Sequence, residues 1–82
     1  MEPYRNLSGT SGVVAYQLGD DYIIVQFNGG ADTFYKYTHT SAGSAAVGTM
    51  KSLAQQGYGL NTYISKNQPG YSSKASSLTG LR

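Results

Sequence analysis

The sequence predicts a small α+β domain, in which a three-stranded antiparallel β-meander packs against one main α-helix and a short helical segment follows. Three observations carry this. Two β-rich runs, Val13 to Leu18 and Tyr22 to Phe27, are separated only by Gly-Asp-Asp, the composition of a tight hairpin connection. A third run, Thr33 to Thr38, follows Asn28-Gly29-Gly30, residues that take positive φ at little cost, as a strand reversal requires. A long segment with apolar residues at three- and four-residue spacing comes next, and it can cover one face of the meander.

Within the second run, Ile23, Val25 and Phe27 alternate with Tyr22, Ile24 and Gln26, so the first set is the better buried face. The same test in the first run sets Val14, Tyr16 and Leu18 against the smaller Val13, Ala15 and Gln17. The third run reads "TFYKYT" and places Tyr35 and Tyr37 on one face and Phe34 and Lys36 on the other. The helix is expected from Ala42 to Gln56, with Thr40 or Ser41 as N-cap and Gly57 ending it. Val47, Met50, Leu53 and Ala54 form its apolar stripe. Gly43 and Gly48 weaken it, so it depends on tertiary packing, with close approach to the sheet a second reason for Gly48. Tyr58, Leu60, Tyr63 and Ile64 then fit a short helix or a turn, closed by Pro69-Gly70.

The 82 residues allow one domain. Residues 1–10 read as a flexible lead-in, 11–70 as the folded domain, and 71–82 as a Ser-rich disordered tail. No cysteine is present, so disulfides and thiolate metal sites are excluded and a reducing compartment, the cytoplasm, is the expected location. Neither a signal segment nor a membrane span is expected.

The net charge is +2, but Arg5, Lys74 and Arg82 fall in the tails. Between Gly9 and Gly70, Lys36, Lys51 and Lys66 balance Asp20, Asp21 and Asp32, which argues against the broad positive field of a generic nucleic-acid binder. The four acidic residues form no acid/base pair, Asp20-Asp21 is explained by turn chemistry, and the single His39 has no companion ligands. The expectation is a protein that is not an enzyme and holds no metal or small-molecule cofactor.

Eight tyrosines and two phenylalanines are more rings than a domain this short easily buries, so some should be exposed and suited to recognition. Tyr35 and Tyr37 can stack unpaired bases, or lie beneath the helix with only their hydroxyls at the rim. Asn61, between Tyr58 and Tyr63, can contact a ligand or bond local backbone.

The order "SGVVAYQ", "YIIVQFNGG", "FYKY", a helix, then "GYGLNTYI" resembles the KTSC family, a small domain found at the C-terminus of some lysyl-tRNA synthetases and as a stand-alone bacterial protein. The likeness runs from Ser11 to Pro69 and rests on Tyr35-x-Tyr37 and on Gly57, Asn61 and Ile64. It implies a noncatalytic binding module of unestablished function, with weak RNA binding drawn from the synthetase context. Typical members carry several arginines after the helix, where this chain has only Lys66. The candidate binding residues are Tyr35, Lys36, Tyr37, Tyr58, Asn61, Tyr63 and Lys66. The alternative is a protein-interaction module whose exposed tyrosines and open strand edge meet another protein or a second copy.

Overall fold

The computed structural model describes residues 1–7, 9, 11–30 and 33–81. The expected meander is present: β2 (Val13–Leu18), β3 (Tyr22–Phe27) and β4 (Phe34–Thr38) are successive antiparallel neighbours. Of the turn between β3 and β4, Ala31 and Asp32 lie outside the described residues.

The sheet is nevertheless five-stranded, not three-stranded, with order β1 (Glu2–Pro3), β2, β3, β4, β5 (Ser73–Ala75). Both additional strands come from the segments read as lead-in and tail. At one edge β1 (Glu2–Pro3) pairs with β2, Glu2 opposite Tyr16. At the other, β5 (Ser73–Ala75) pairs with β4, Tyr35 opposite Lys74. Strands of two and three residues carry no periodicity of their own; they form because an existing edge offers unpaired backbone groups.

The helical layer also differs from the single main helix expected. Gly43, at φ 94°, divides it into α1 (His39–Ala42) and α2 (Ser44–Gln56), and α3 (Leu60–Asn67) follows. The N-cap is Thr38 rather than Thr40 or Ser41. The Thr38 hydroxyl oxygen accepts from the Ser41 amide at 3.0 Å, and the Ser41 hydroxyl oxygen accepts from the Thr38 amide at 3.0 Å, a reciprocal capping box. Gly57 ends α2 in the left-handed conformation, as expected.

The helices cover one sheet face. Val13, Ile23, Val25 and Tyr37 from the sheet meet Val47, Met50 and Ala54 of α2 and Leu60 of α3, so the stripe read from the sequence is the buried one, with Leu53 at its margin. The first strand departs from simple alternation. Val13 is opposite Phe27 and Ala15 opposite Gln26, so Val14 is the extra residue of a bulge that reverses the facing of everything before it. Val13 is therefore buried and Val14 is 42% exposed.

Tyr4, just beyond β1, completes the core at 6% exposure. Its amide donates to the Val14 carbonyl at 3.0 Å and its hydroxyl oxygen accepts the Leu60 amide at 3.3 Å. Beyond it, Leu7 N–H donates to the Gly57 carbonyl at 2.8 Å and the Arg5 guanidinium donates to the Gln55 carbonyl. A cation against the last carbonyls of a helix is favourable twice, as a hydrogen bond and against the helix dipole. The lead-in is thus a strap across the C-terminal end of α2.

Candidate functional site

The helices leave one end of the covered sheet face open. Register places Tyr37 opposite Ile23 and Tyr35 opposite Val25, and directly opposed residues share a face. Phe27, two residues beyond Val25, continues the same row. The facing wall is the C-terminal end of α3 and the chain leaving it: Ile64, Gln68, Pro69, Gly70 and Tyr71. Together these residues line an open groove of about 630 Å³.

Gly70 sets how closely that wall approaches. A Cβ there would lie 2.4 Å from the Ser41 carbonyl oxygen, and the Ser41 hydroxyl donates to the Gly70 carbonyl at 2.9 Å. Ser72 N–H then donates to the Lys36 carbonyl at 2.7 Å, bringing the chain into β5. Tyr71, between these two ties, is held over the sheet.

Four rings form the groove's aromatic surface. Phe27 meets Tyr35 edge-on at 5.4 Å between centroids, Tyr71 meets Tyr35 edge-on at 5.0 Å, and Tyr71 meets Tyr37 edge-on at 6.5 Å. Tyr35 and Tyr37 stack at 6.4 Å. These are favourable aromatic geometries. Tyr37 is only 2% exposed, and no buried side-chain nitrogen or oxygen among the described residues lacks a partner. Its hydroxyl makes no protein hydrogen bond among the described residues, so that oxygen is the part of the residue that opens into the groove. Burial first, and then the neighbouring Tyr35 and Tyr71, hold its pKa well above that of an ordinary phenol, because each disfavours the phenolate.

The candidate residues read from the sequence do not form one surface. Tyr35 and Tyr37 line the groove. Lys36 lies on the opposite sheet face, its ammonium 4.7 Å from the centroid of the Tyr22 ring. Tyr58 is exposed at the junction of α2 and α3, Asn61 is half-buried with its side-chain oxygen beside Gly12, Tyr63 packs against the core, and Lys66 is exposed in the last turn of α3; none of the four lines the groove. Four contributors to the groove are not among the sequence's candidate binding residues: Phe27, which alternation gives to the core, Ile64, which fits the short helical segment and the family pattern, Gln68, which carries no signal of its own, and Tyr71, which opens the Ser-rich tail. The spacing of Ile64 and Gln68 by one helical repeat is the available signal for the facing wall. For Tyr71 there was only its place after Pro69-Gly70.

The cations that would meet phosphate are largely committed elsewhere. Arg5 caps α2, Lys36 stands over Tyr22, and the Lys51 ammonium donates to the Gly19 and Asp20 carbonyls of the β2–β3 turn. None of the described lysines or arginines is in the groove's lining, but Lys74, opposite Tyr35 in the register, holds its ammonium 5.8 Å from the centroid of the Tyr71 ring at the groove's margin. Among the described residues no group of three or more His, Cys, Asp or Glu side chains is placed to hold a metal ion, and no helix is long and apolar enough to cross a membrane.

Compared with protein-family models, with curated proteins and with solved structures, the chain finds no match in any of the three. Fold and groove therefore define it by themselves: a small α+β domain with open sheet edges and exposed aromatic and apolar side chains, consistent with a binding interface.

Proposed function

We propose that this protein is a noncatalytic protein-interaction module whose contact surface is the aromatic groove. The observation that carries this reading is the composition of the groove: Phe27, Tyr35 and Tyr71 reach its surface over the buried Tyr37, the contacting ring pairs have centroids 5.0 to 6.5 Å apart, and no charged side chain is in the lining, with Lys74 at its margin beside Tyr71. Aromatic residues are enriched at protein interfaces, where charged residues are depleted from the centre. The sheet edges support the reading less well. β1 is two residues long and contains Pro3, which has no N–H to offer, while β5 is three residues long and a 3-10 turn, Leu78–Gly80, follows it closely. Such edges are poor templates for adding a strand.

The likeness to KTSC domains belongs to this proposal, as one origin for a module of this kind in a bacterial cytoplasm. Weak RNA contact is the reading that the geometry supports less. Tyr35 and Tyr37 face away from Lys36, which leaves Lys74 beside Tyr71 as the cation at these rings, and nucleic-acid affinity comes largely from several cations that neutralise phosphates together. The test is an amide chemical-shift titration of the labelled protein at low and moderate salt, with an oligouridine in one arm and peptides selected from a random displayed library in the other. Peptide-induced shifts at Phe27, Tyr35 and Tyr71 that persist in salt are expected. Oligouridine shifts that fade with salt, with no response to peptide, would overturn the proposal.

A further inference from the structure

We infer that Asn28 is a site of spontaneous covalent modification, where the folded protein converts its own Asn28-Gly29 step into an acidic and partly β-linked one. The inference goes beyond the binding reading above and does not depend on it.

The chemistry is intramolecular. The backbone nitrogen of Gly29 attacks Cγ of the Asn28 side chain. The N–Cγ bond forms, the Cγ–Nδ2 bond breaks, the Gly29 N–H proton goes to solvent base and Nδ2 leaves as ammonia. Water then opens the cyclic imide. Opening at Cγ leaves aspartate, and opening at the former main-chain carbonyl leaves isoaspartate, whose backbone runs through the side chain. Nothing is oxidised or reduced.

Three observations place this chemistry at Asn28. The first is access to the attacking nitrogen, which a side chain on the following residue obstructs and glycine leaves open. Of the asparagines Asn6, Asn28, Asn61 and Asn67, Asn28 is the one followed by glycine. The second is backbone freedom. Gly29 and Gly30 are exposed at φ 75° and 85°, and nothing lies within 4 Å of a Cβ added at either, so the chain there can turn into the ring-closing geometry. The third is what holds the reacting groups. Asn28 is exposed, and its own N–H donates to the Gly12 carbonyl at 2.7 Å. Among the described residues nothing hydrogen-bonds its side-chain amide or the Gly29 N–H.

The other asparagines are restrained. Asn6 Oδ1 accepts the Ser11 amide at 3.0 Å, and Asn67 Nδ2 donates to the Tyr63 carbonyl at 3.0 Å. Asn61 is half-buried within α3, where helical backbone opposes the ring closure. The place of Asn28 gives the reaction a consequence. Gly29 belongs to the groove's lining, so the new carboxylate stands at the mouth of that groove beside Phe27, and the formal net charge of +2 falls by one.

The experiment incubates the full chain, folded and in urea, at neutral and mildly alkaline pH, and locates amide-to-acid conversion by fragment-ion mass spectrometry. Conversion at Asn28 in the folded chain, faster at alkaline pH and accompanied by isoaspartate that an isoaspartyl methyltransferase labels, is the expected result. Asn28→Gln should abolish it, because the longer side chain must close a larger ring. Asn28 is exposed, so this variant should fold, and an unchanged melting curve checks it. Conversion of Asn28 in urea but not in the folded chain would overturn the inference, because the fold would then hold the Gly29 nitrogen away from Cγ. Earlier conversion at Asn6, Asn61 or Asn67 in the folded chain would overturn it too. A last arm rests on the protein-interaction reading. Displayed peptides that shift Phe27 should bind Asn28→Asp several-fold more weakly than Asn28→Gln, since an apolar side chain covering the carboxylate strips its hydration. Equal affinities would overturn the effect on the groove, whereas a library that yields no groove-binding peptide would overturn the protein-interaction reading and leave the modification standing.

Discussion

The hydroxyl oxygen of Tyr4 accepts the backbone N–H of Leu60 at 3.3 Å, a buried hydrogen bond across 56 positions of chain. It joins the N-terminal strap to the first turn of α3, where amide groups have no partner within the helix. Tyr4→Phe keeps the ring and removes the acceptor, so it should cost about 1 to 2 kcal/mol, the penalty of a buried donor left unsatisfied. Tyr4→Ala should cost about 3 to 5 kcal/mol, since it also empties the ring's place in the core. Urea unfolding of the two variants separates the contributions. A strap that merely lay on the surface would give losses well under 1 kcal/mol for both.

Two glycines in and beside α2 should respond in opposite directions. Gly57 has φ 84° and a Cβ there would lie 2.8 Å from the Arg5 Cβ, so Gly57→Ala meets both backbone strain and the strap. A loss of about 1 to 3 kcal/mol is expected. Gly48 has helical backbone and open space, with nothing within 4 Å of the added Cβ. Close approach to the sheet, one of the two reasons the sequence offered for this glycine, is therefore corrected. Gly48→Ala should stabilise by about 0.5 to 1 kcal/mol through helix propensity. Paired thermal melts test both, and a destabilised Gly48→Ala would contradict the open surface at that position.

The sequence was informative where an element is specified by its own residues. β2 and β3 run between the residues where the apolar alternation begins and ends, and the stripe of Val47, Met50 and Ala54 faces the sheet as its spacing requires. It was uninformative where an element is specified by a distant partner. Glu2–Pro3 and Ser73–Ala75 are strands only because β2 and β4 present edges to them. Tyr4 and Tyr71 lie in polar surroundings along the chain and acquire their apolar contacts from opposite ends of it. Gly43 shows the complementary limit, because composition marked it as a weak point while only the backbone shows a break. At the candidate site, alternation placed Tyr35 and Tyr37 together and Lys36 apart from them. The second wall, which makes a groove of that surface, depends on the turn at Gln68 and the contact of Gly70 with Ser41.

Tyr37 and Tyr71 share the groove but belong to different energetic classes. Tyr37 is 2% exposed within the core, whereas Tyr71 is 45% exposed and packs on it from outside. Tyr37→Ala should cost about 3 to 5 kcal/mol, enough to endanger a domain of 82 residues. Tyr71→Ala should cost less than about 1 kcal/mol. Denaturant midpoints at unchanged m-value measure both. Equal losses at the two sites would show that Tyr71 is part of the core and not a wall that a ligand can use.

Stability should carry the signature of Tyr37 at alkaline pH. Its folded pKa lies above the ordinary tyrosine value, first because burial disfavours the phenolate and then because Tyr35 and Tyr71 are near. In the unfolded chain it titrates near ~10. Below that pH both states hold the proton and the residue contributes no slope. As pH rises past it, the unfolded state releases the proton while the folded state keeps it, so the unfolded state binds fewer protons and stability falls. The limiting slope for one such group is about 1.4 kcal/mol per pH unit. The measurement is a difference, which removes every contribution the two proteins share: urea unfolding of wild type and Tyr37→Phe from pH 8 to 11. The two should run parallel up to about pH 9.5, and above it the wild type should fall relative to the variant, because it loses stability that the phenylalanine variant has no proton to lose. Curves that stay parallel to pH 11 would mean that the Tyr37 hydroxyl ionises as freely in the folded protein as in the unfolded chain, and that the groove is wetter at its floor than the burial of this ring implies.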